Sequence, residues 1–306
     1  MESRFSLFIP TKNRHALLTR SLNYLKKLHF KYPIFIADSS IEPYTDCDNY
    51  KELNINYFFT ELDGWDKLNY FAIKTKSEFL LMLGDDDFLI TENLEKILDF
   101  LLINPGYGCA SGIEIKFIKK GNNLDFFVFK QPSLSSSSYL KRIKAHCKLY
   151  FPTFYFIHRR EVLLNSLSTI RKPNISLDSV PLEILTSIAT VSQGKVKVFH
   201  EEPFIFRQIY HERSTIVTQW SDILKQNIFL KIKENMLENL YTLLHPEDTE
   251  IKNIEKSLDI YFKMYTPSKI KSFIREYINA YCKGKILKKI KKNNNFRFIV
   301  DYIKKC

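Results

Sequence analysis

Three consecutive carboxylates, Asp85-Asp86-Asp87, follow the apolar run Leu80-Leu81-Met82-Leu83 with only Gly84 between them. The run reads as a buried strand, so the acids are delivered at its carboxyl end. Adjacent anions repel one another, and burying even one is costly unless something positive neutralises it. Mg2+ or Mn2+ is the hard cation that such oxygen-only ligands suit. The alternative is a solvated turn that also caps a helix beginning near Thr91. Two more polar groups end apolar runs: Pro10-Thr11-Lys12-Asn13-Arg14 after Phe5 to Ile9, and Asp38-Ser39-Ser40 after Pro33 to Ala37. A nucleotide fits the three together. Backbone amides and Thr11 meet its oxygens, Asp38 accepts from base or ribose, Arg14 offsets phosphate charge, and a metal on the acids bridges the phosphates.

These groups need a scaffold that brings them to one edge. Strand and helix signals alternate through the first hundred residues: strands at Phe5 to Ile9, Pro33 to Ala37, Ile55 to Phe59 and Phe79 to Leu83, with helices at Arg14 to His29, Gly64 to Lys76 and Asn93 to Leu102. Repeated units of this length imply an α/β fold with a doubly wound, mostly parallel nucleotide-binding sheet and helices on both faces. All three polar groups then open onto the carboxyl edge, where such sheets bind ligands. Lys67, on the second helix, joins the candidate donor contacts. There is no Gly-x-Gly-x-x-Gly and no Walker lysine loop, which disfavours a dinucleotide or P-loop fold.

Further along, Tyr107 to Phe117 and Leu124 to Lys130 read as a hairpin around Lys119-Lys120-Gly121-Asn122-Asn123. The stretch Phe151 to Arg160 is aromatic-rich and reads either as a sugar-stacking platform or as a core strand. His158 and Arg159 within it are candidate phosphate or acceptor contacts. From Trp220 the pattern turns wholly helical, with helices ending near Pro246 and Pro267, a third helix at Ile270 to Tyr281 and a basic amphipathic segment at Ile286 to Lys292. The expected division is 1–218, with a nucleotide half at 1–103 and an acceptor half at 104–218, followed by a helical extension at 219–306.

Composition narrows the class. The chain has 306 residues, 45% hydrophobic and 14% aromatic, which suits a folded protein with a large core. No apolar stretch is long enough for a membrane span, and the opening residues lack the layout of a secretory signal. Five scattered cysteines without a Cys-x-x-Cys pair read as reduced thiols, so a cytoplasmic location is expected. From Lys263 onward thirteen Lys or Arg face only Glu276 and Asp301, which is nearly all of the net charge of +12. Such a tail suits an anionic membrane surface, a nucleic acid or an acidic glycan, or is a solvated helix face. Nucleic acid is not expected, because the acidic turn would repel a phosphate backbone and the rest of the chain supplies no basic stripe.

Phe5-Ser6-Leu7-Phe8-Ile9-Pro10-Thr11-Lys12-Asn13-Arg14 resembles the opening strand of family-2-type glycosyltransferases with a GT-A fold, bacterial surface-glycan enzymes among them. Asp38-Ser39-Ser40 resembles that family's nucleotide-contacting turn, and Asp85 to Asp87 its Asp-x-Asp metal motif, with Gly84 standing where an acid is commonest. The resemblance covers residues 3 to 215. It implies a metal-dependent enzyme that moves a sugar from a nucleotide-sugar donor, a UDP-sugar first, to a glycan or lipid-linked glycan with inversion. Asp85 and Asp87 are the implied metal ligands, with Asp86 beside ribose or metal. Counting back from Gly194-Lys195 places the implied base at Glu183, with Asp178 in reserve. Arg207 is implied at the phosphates and His211 as a third metal ligand, with Glu212 to Thr218 as a lid. The basic tail would meet the inner face of a membrane, or its helices would pack as a bundle on the catalytic domain or on a second subunit. A nucleotidyl or phosphoryl transferase uses the same carboxylates, and release of pyrophosphate would mark it.

Overall fold

The structure, a computed structural model, describes residues 3–62, 64–121, 123–129, 131–168, 180–209, 228–264 and 294–305. Strand β1 (Phe5–Thr11) leads to α1 (His15–Lys27), β2 (Ile34–Asp38), β3 (Ile55–Phe59), α2 (Gly64–Lys74) and β4 (Phe79–Met82). These four strands lie in the order β3-β2-β1-β4 and are all parallel. The chain runs outward on one side of β1 and returns on its other side. The gap between the ends of β1 and β4 is therefore a topological switch point, the usual ligand crevice of an open α/β sheet.

Burial on both faces explains why β1 is apolar except for Ser6, whose hydroxyl pairs with that of Ser77 at 2.7 Å, and Thr11 at its end. Phe5, Leu7 and Ile9 pack with Leu18, Leu22 and Leu25 of α1, whereas Phe8 points to the other face and packs with Leu68 and Phe71 of α2. Helices cover both faces, as the sequence pattern predicts. Pro10 continues the strand instead of ending it. Leu7 N–H donates to Pro33 in the β2 direction, so the missing N–H of Pro10 faces β4, whose pairing with β1 already ends at Phe8–Met82. No ladder bond is lost there.

The second half is mixed. It contains β5 (Phe88–Leu89), α3 (Leu94–Ile103), β6 (Tyr107–Lys120), β7 (Asn123–Phe129), α4 (Tyr139–Lys148), β8 (Ile157–Arg159), α5 (Arg160–Ser168), α6 (Val180–Gln193) and β9 (Lys195–Gln208). The sheet continues β4-β8-β6-β9-β5 with β7 beside β6. Of these pairings only β6 with β9 is parallel. A proline such as Pro203 reads locally as a turn, but β9 runs through it. Its register against β6 shifts between Ser111 and Glu114, and Gly112 makes room: a Cβ there would stand 2.2 Å from the Glu202 carbonyl oxygen. The irregularity accommodates Pro203, which a regular central strand would exclude.

Beyond β9 the described residues are helical: α7 (Ile228–Leu244), α8 (Asp248–Met264) and α9 (Asn294–Lys305). Ile232, Met236, Leu258 and Tyr261 share a core with Ile143 of α4 and Ile184 and Ile188 of α6. Helix α9 falls in the region expected to be helical, although the sequence pattern marks no separate element there. Its Phe296, Ile299, Tyr302 and Ile303 are buried in the main core, where Tyr302 lies 5.5 Å from Tyr24 and 6.0 Å from Phe88. The apolar face of this last basic helix is thus occupied by the fold itself. The segments Ile270 to Tyr281 and Ile286 to Lys292 lie outside the described residues. Among those described, no helix is long and apolar enough to cross a membrane.

Candidate active site

The carboxyl ends of β1, β2 and β4 carry the three polar groups to adjacent positions. Thr11 and Asp38 are register partners, and Thr11 Oγ1 donates across the switch point to Asp85 Oδ2 at 2.8 Å. Lys67 is buried and donates to the Thr11 carbonyl at 2.9 Å, which ties α2 to the end of β1. Asn13 has a φ of 54°, a conformation Asn tolerates better than most residues. Its N–H donates to Ser40 Oγ at 2.7 Å while its Oδ1 accepts from Ile41 N–H at 2.9 Å. The first two loops are thereby locked together.

Asp38 is the centre of that lock. Its carboxylate accepts from Ser40 N and Oγ, Tyr44 N, Tyr57 OH and His15 Nε2 at 2.5 to 3.1 Å. Burial alone would raise its pKa, but the bonds from Ser40, Tyr57 and His15 outweigh it and hold the group below the ordinary range. Both oxygens are engaged, so a contact to base or ribose must replace one of these donors. His15, a third exposed, stands at the accessible side.

The acidic turn is buried: Asp85 and Asp87 are 3% and 2% exposed. Arg14 spans the first two acids, 3.2 Å from Asp85 Oδ1 and bonded to Asp86 Oδ2. Burial pushes Asp85 up to about 6, against the pull of Arg14 and Thr11 and with a push from Asp86. Asp87 is raised as well, by burial first and then by Asp86 and Glu114, while Arg207 and the Gln208 N–H pull it down. That N–H bonds Asp87 Oδ1 at 3.0 Å. Arg20 reaches in from α1, donating to the Asp86 carbonyl at 3.0 Å and to Gln208 Oε1 at 2.8 Å. The Tyr302 hydroxyl of α9 bonds the Arg20 carbonyl at 2.8 Å.

Gly84 explains the departure from an acid at its position. A Cβ there would lie 2.8 Å from Asp87 Oδ2 and 2.9 Å from Asp86 Oδ1. Two carboxylate oxygens from neighbouring residues thus converge over its Cα. Among the described residues, no three His, Cys, Asp or Glu side chains form a ready cage for a metal. Mg2+ and Mn2+ do not need one, since they are commonly held by one or two carboxylates plus substrate phosphates. The converging pair is oxygen-only, buried and crowded with like charge, and its donor chemistry fits such an ion.

The other half of the sheet brings Arg207 beside Asp87, and helix α6 brings Glu183 within electrostatic reach of Arg207. Arg207 donates to Glu114 Oε1 and to Tyr155 OH, both at 2.9 Å, and its guanidinium carbon lies 3.7 Å from the Tyr155 ring centre. Its Nε is 3.6 Å from Asp87 Oδ2. Glu183, in the first turn of α6, accepts from Tyr150 OH at 3.0 Å and is partly exposed. Burial raises its pKa, while Tyr150, Arg207 and Lys116 oppose the rise. Arg142 fixes the far end of α6 by donating to the carbonyls of Val191 at 2.8 Å and Ser192 at 2.7 Å.

The sequence candidates therefore divide. Thr11, Asn13, Arg14, Asp38, Lys67, Asp85, Asp86, Asp87 and Arg207 meet at one edge, Pro10 shapes the strand behind them, and Glu183 lies within electrostatic reach of Arg207. Asp178, His211 and the loop Glu212 to Thr218 lie outside the described residues. His158 and Arg159 are spent elsewhere. His158 Nε2 donates to the Thr153 carbonyl at 2.7 Å, with burial lowering its pKa to about 4, and Arg159 binds the carbonyls of Tyr107, Leu101 and Asn104. Arg20, Glu114, Lys116, Tyr150 and Gln208 were missed. Glu114 and Lys116 alternate with Ile113, Ile115 and Phe117, and that polar face was the available signal.

No protein-family model matches the chain, and no curated protein matches it in sequence. Solved structures do match in fold. S. aureus TarS 1-349 in complex with UDP aligns at a TM-score of 0.58 and 17% identity, over 96% of this chain and 79% of that one. The same protein in complex with UDP-GlcNAc gives 0.51 and 16%, over 92% and 89%. The mannosyltransferase PcManGT from Pyrobaculum calidifontis, in complex with GDP-Man and Mn2+, gives 0.50 and 12%, over 99% and 84%. At these identities the likeness is one of fold, and the fold is one that glycosyltransferases use.

Proposed function

We propose that this chain is a nucleotide-sugar-dependent glycosyltransferase of the GT-A, family-2 type. The observation that carries the proposal is the convergence of Asp85 to Asp87, Arg14 and Thr11 with Arg207 and Glu183 at the switch point of the sheet. The structural neighbours crystallised with UDP, UDP-GlcNAc and GDP-Man support a nucleotide-sugar donor, and PcManGT supports Mn2+. We take a UDP-sugar as the first donor to test. The acceptor class that fits is a glycan or lipid-linked glycan of a bacterial surface polysaccharide, extended by residues 1–218 in the cytoplasm. Residues 219–306 then serve as a helical extension that could meet a membrane or a second copy.

In place of the expected Asp85 and Asp87 pair, Asp87 Oδ2 and Asp86 Oδ1 would hold Mn2+ or Mg2+, because both oxygens of Asp85 are engaged by Thr11 and Arg14. The ion would supply charge to stabilise the departing diphosphate. Arg14 and Arg207 flank the acids and would offset further phosphate charge. Glu183 takes the proton from the acceptor hydroxyl. Its Oε1 is held by Tyr150, and its raised pKa makes it a stronger base than an exposed carboxylate. Attack opposite the leaving group inverts the anomeric centre. Asp178 is the reserve for the same role.

The test is to incubate protein, Mn2+ and each nucleotide-sugar with lipid-linked glycan acceptors and to identify the nucleotide released. Nucleoside diphosphate released with sugar transfer is expected. Pyrophosphate or a nucleoside monophosphate would instead support nucleotidyl or phosphoryl transfer.

A further inference from the structure

We infer that Glu114 is a positioning residue that keeps Arg207 from occupying the cation site at Asp87. This rests on the function proposed above. A carboxylate buried in mid-strand is costly unless it is paired, and Glu114 is 4% exposed. It is paired three times: with Arg207 at 2.9 Å, with Gln131 Nε2 at 2.9 Å, and with Lys116 at 3.6 Å. The register of β6 against β9 sets Glu114 and Lys116 beside Ile205 and Arg207, so the pairing is built into the sheet.

Arg207 lies between two carboxylates, and the contacts are unequal. One terminal nitrogen is bonded to Glu114 and the other to the Tyr155 hydroxyl, with the guanidinium carbon 3.7 Å from the centre of that ring. Only Nε faces Asp87, at 3.6 Å, and it makes no hydrogen bond. The strong, directional contacts therefore hold Arg207 on Glu114, and Asp87 is left with proximity of charge alone. Asp87 Oδ2 is also one of the two oxygens that converge over Gly84. A divalent cation arriving there leaves the Glu114–Arg207 pair intact and neutral. Without the Glu114 charge, Asp87 becomes the nearest anion to Arg207, and guanidinium and metal compete for one oxygen.

The experiment is titration of Mn2+ alone, followed by electron paramagnetic resonance, on wild type, Glu114→Gln, Arg207→Gln and the double variant, each checked for folding by circular dichroism. The expected result is an Mn2+ dissociation constant raised about tenfold in Glu114→Gln. Tighter binding than wild type is expected in Arg207→Gln, and recovery in the double variant because the competitor is gone. An unchanged constant in Glu114→Gln overturns the inference, and so does a loss that persists in the double variant, since that marks a merely structural role. If Glu114→Gln does not fold, Arg207→Gln decides: binding no tighter than wild type overturns the inference. Wild type that binds no Mn2+, with or without nucleoside diphosphate, overturns the metal-dependent function itself and this inference with it.

Discussion

Replacing Asp85 by Asn isolates the cost of gathering the three acids. The carboxyl is raised from 3.8 to about 6, so the folded protein holds a proton that the unfolded chain has already released between those values. Stability from this group therefore falls as pH rises through that window, and the penalty is complete above it. At about 1.4 kcal/mol per pH unit the penalty is about 3 kcal/mol. That figure is already net of the pull of Arg14 and Thr11, and an Asn keeps an oxygen for Thr11. The gain of about 3 kcal/mol corresponds to a Tm rise of about 5 °C for a chain of this size. Thermal unfolding of both proteins without metal, at pH 8 and at pH 4, is the assay. The rise is expected at pH 8, with less than about 1 °C at pH 4, where Asp85 is already neutral in the fold. Equal shifts at the two values, or a lower Tm at pH 8, would refute the reasoning that burial and like charge, offset only in part by Arg14, set the energy of this turn.

Three further outcomes follow from the same geometry. Glu183→Gln should leave donor binding by calorimetry unchanged while slowing transfer by about a hundredfold to ten-thousandfold, as expected for a general base. Gly84→Ala should weaken Mn2+-dependent nucleotide binding roughly tenfold to a hundredfold, because the added carbon stands 2.8 Å from Asp87 Oδ2 and moves it. Ile299→Ala, at a fully buried position of α9, should cost about 2 to 5 kcal/mol in denaturant unfolding. An effect well under 1 kcal/mol would mean that α9 is not part of the core.

What could be read from the chain was set by local periodicity. The apolar runs before Thr11, Asp38 and Asp85 announce parallel strands with polar ends, and the register of Thr11 with Asp38 follows from that pattern. Pro203 misled, because a proline in a strand reads as a turn, and only the close approach of β9 to Gly112 shows how the strand absorbs it. Local alternation marks Glu114 as lying on the polar face of its strand, but it brings neither Glu114 nor Arg20 to the site. A carboxylate in an alternating strand and an arginine on a helix are ordinary surface residues until tertiary contacts bring them to Arg207 and Asp86. Helix α9 is short and begins within an asparagine run, and its buried face becomes apparent only beside Tyr24 and Phe88. The site was legible where the backbone itself delivers it, at the strand ends. It was not legible where distant side chains complete it.

The central claim is that the acidic turn holds a nucleotide through a divalent cation. Calorimetric titration with UDP, GDP, CDP and CMP, each with Mn2+ and with EDTA, on wild type and on Asp87→Asn, tests it most directly. One nucleoside diphosphate is expected to bind wild type with Mn2+, and EDTA or the substitution is expected to abolish the binding. Equal binding in EDTA, or no binding of any nucleotide by folded wild type, would contradict that claim.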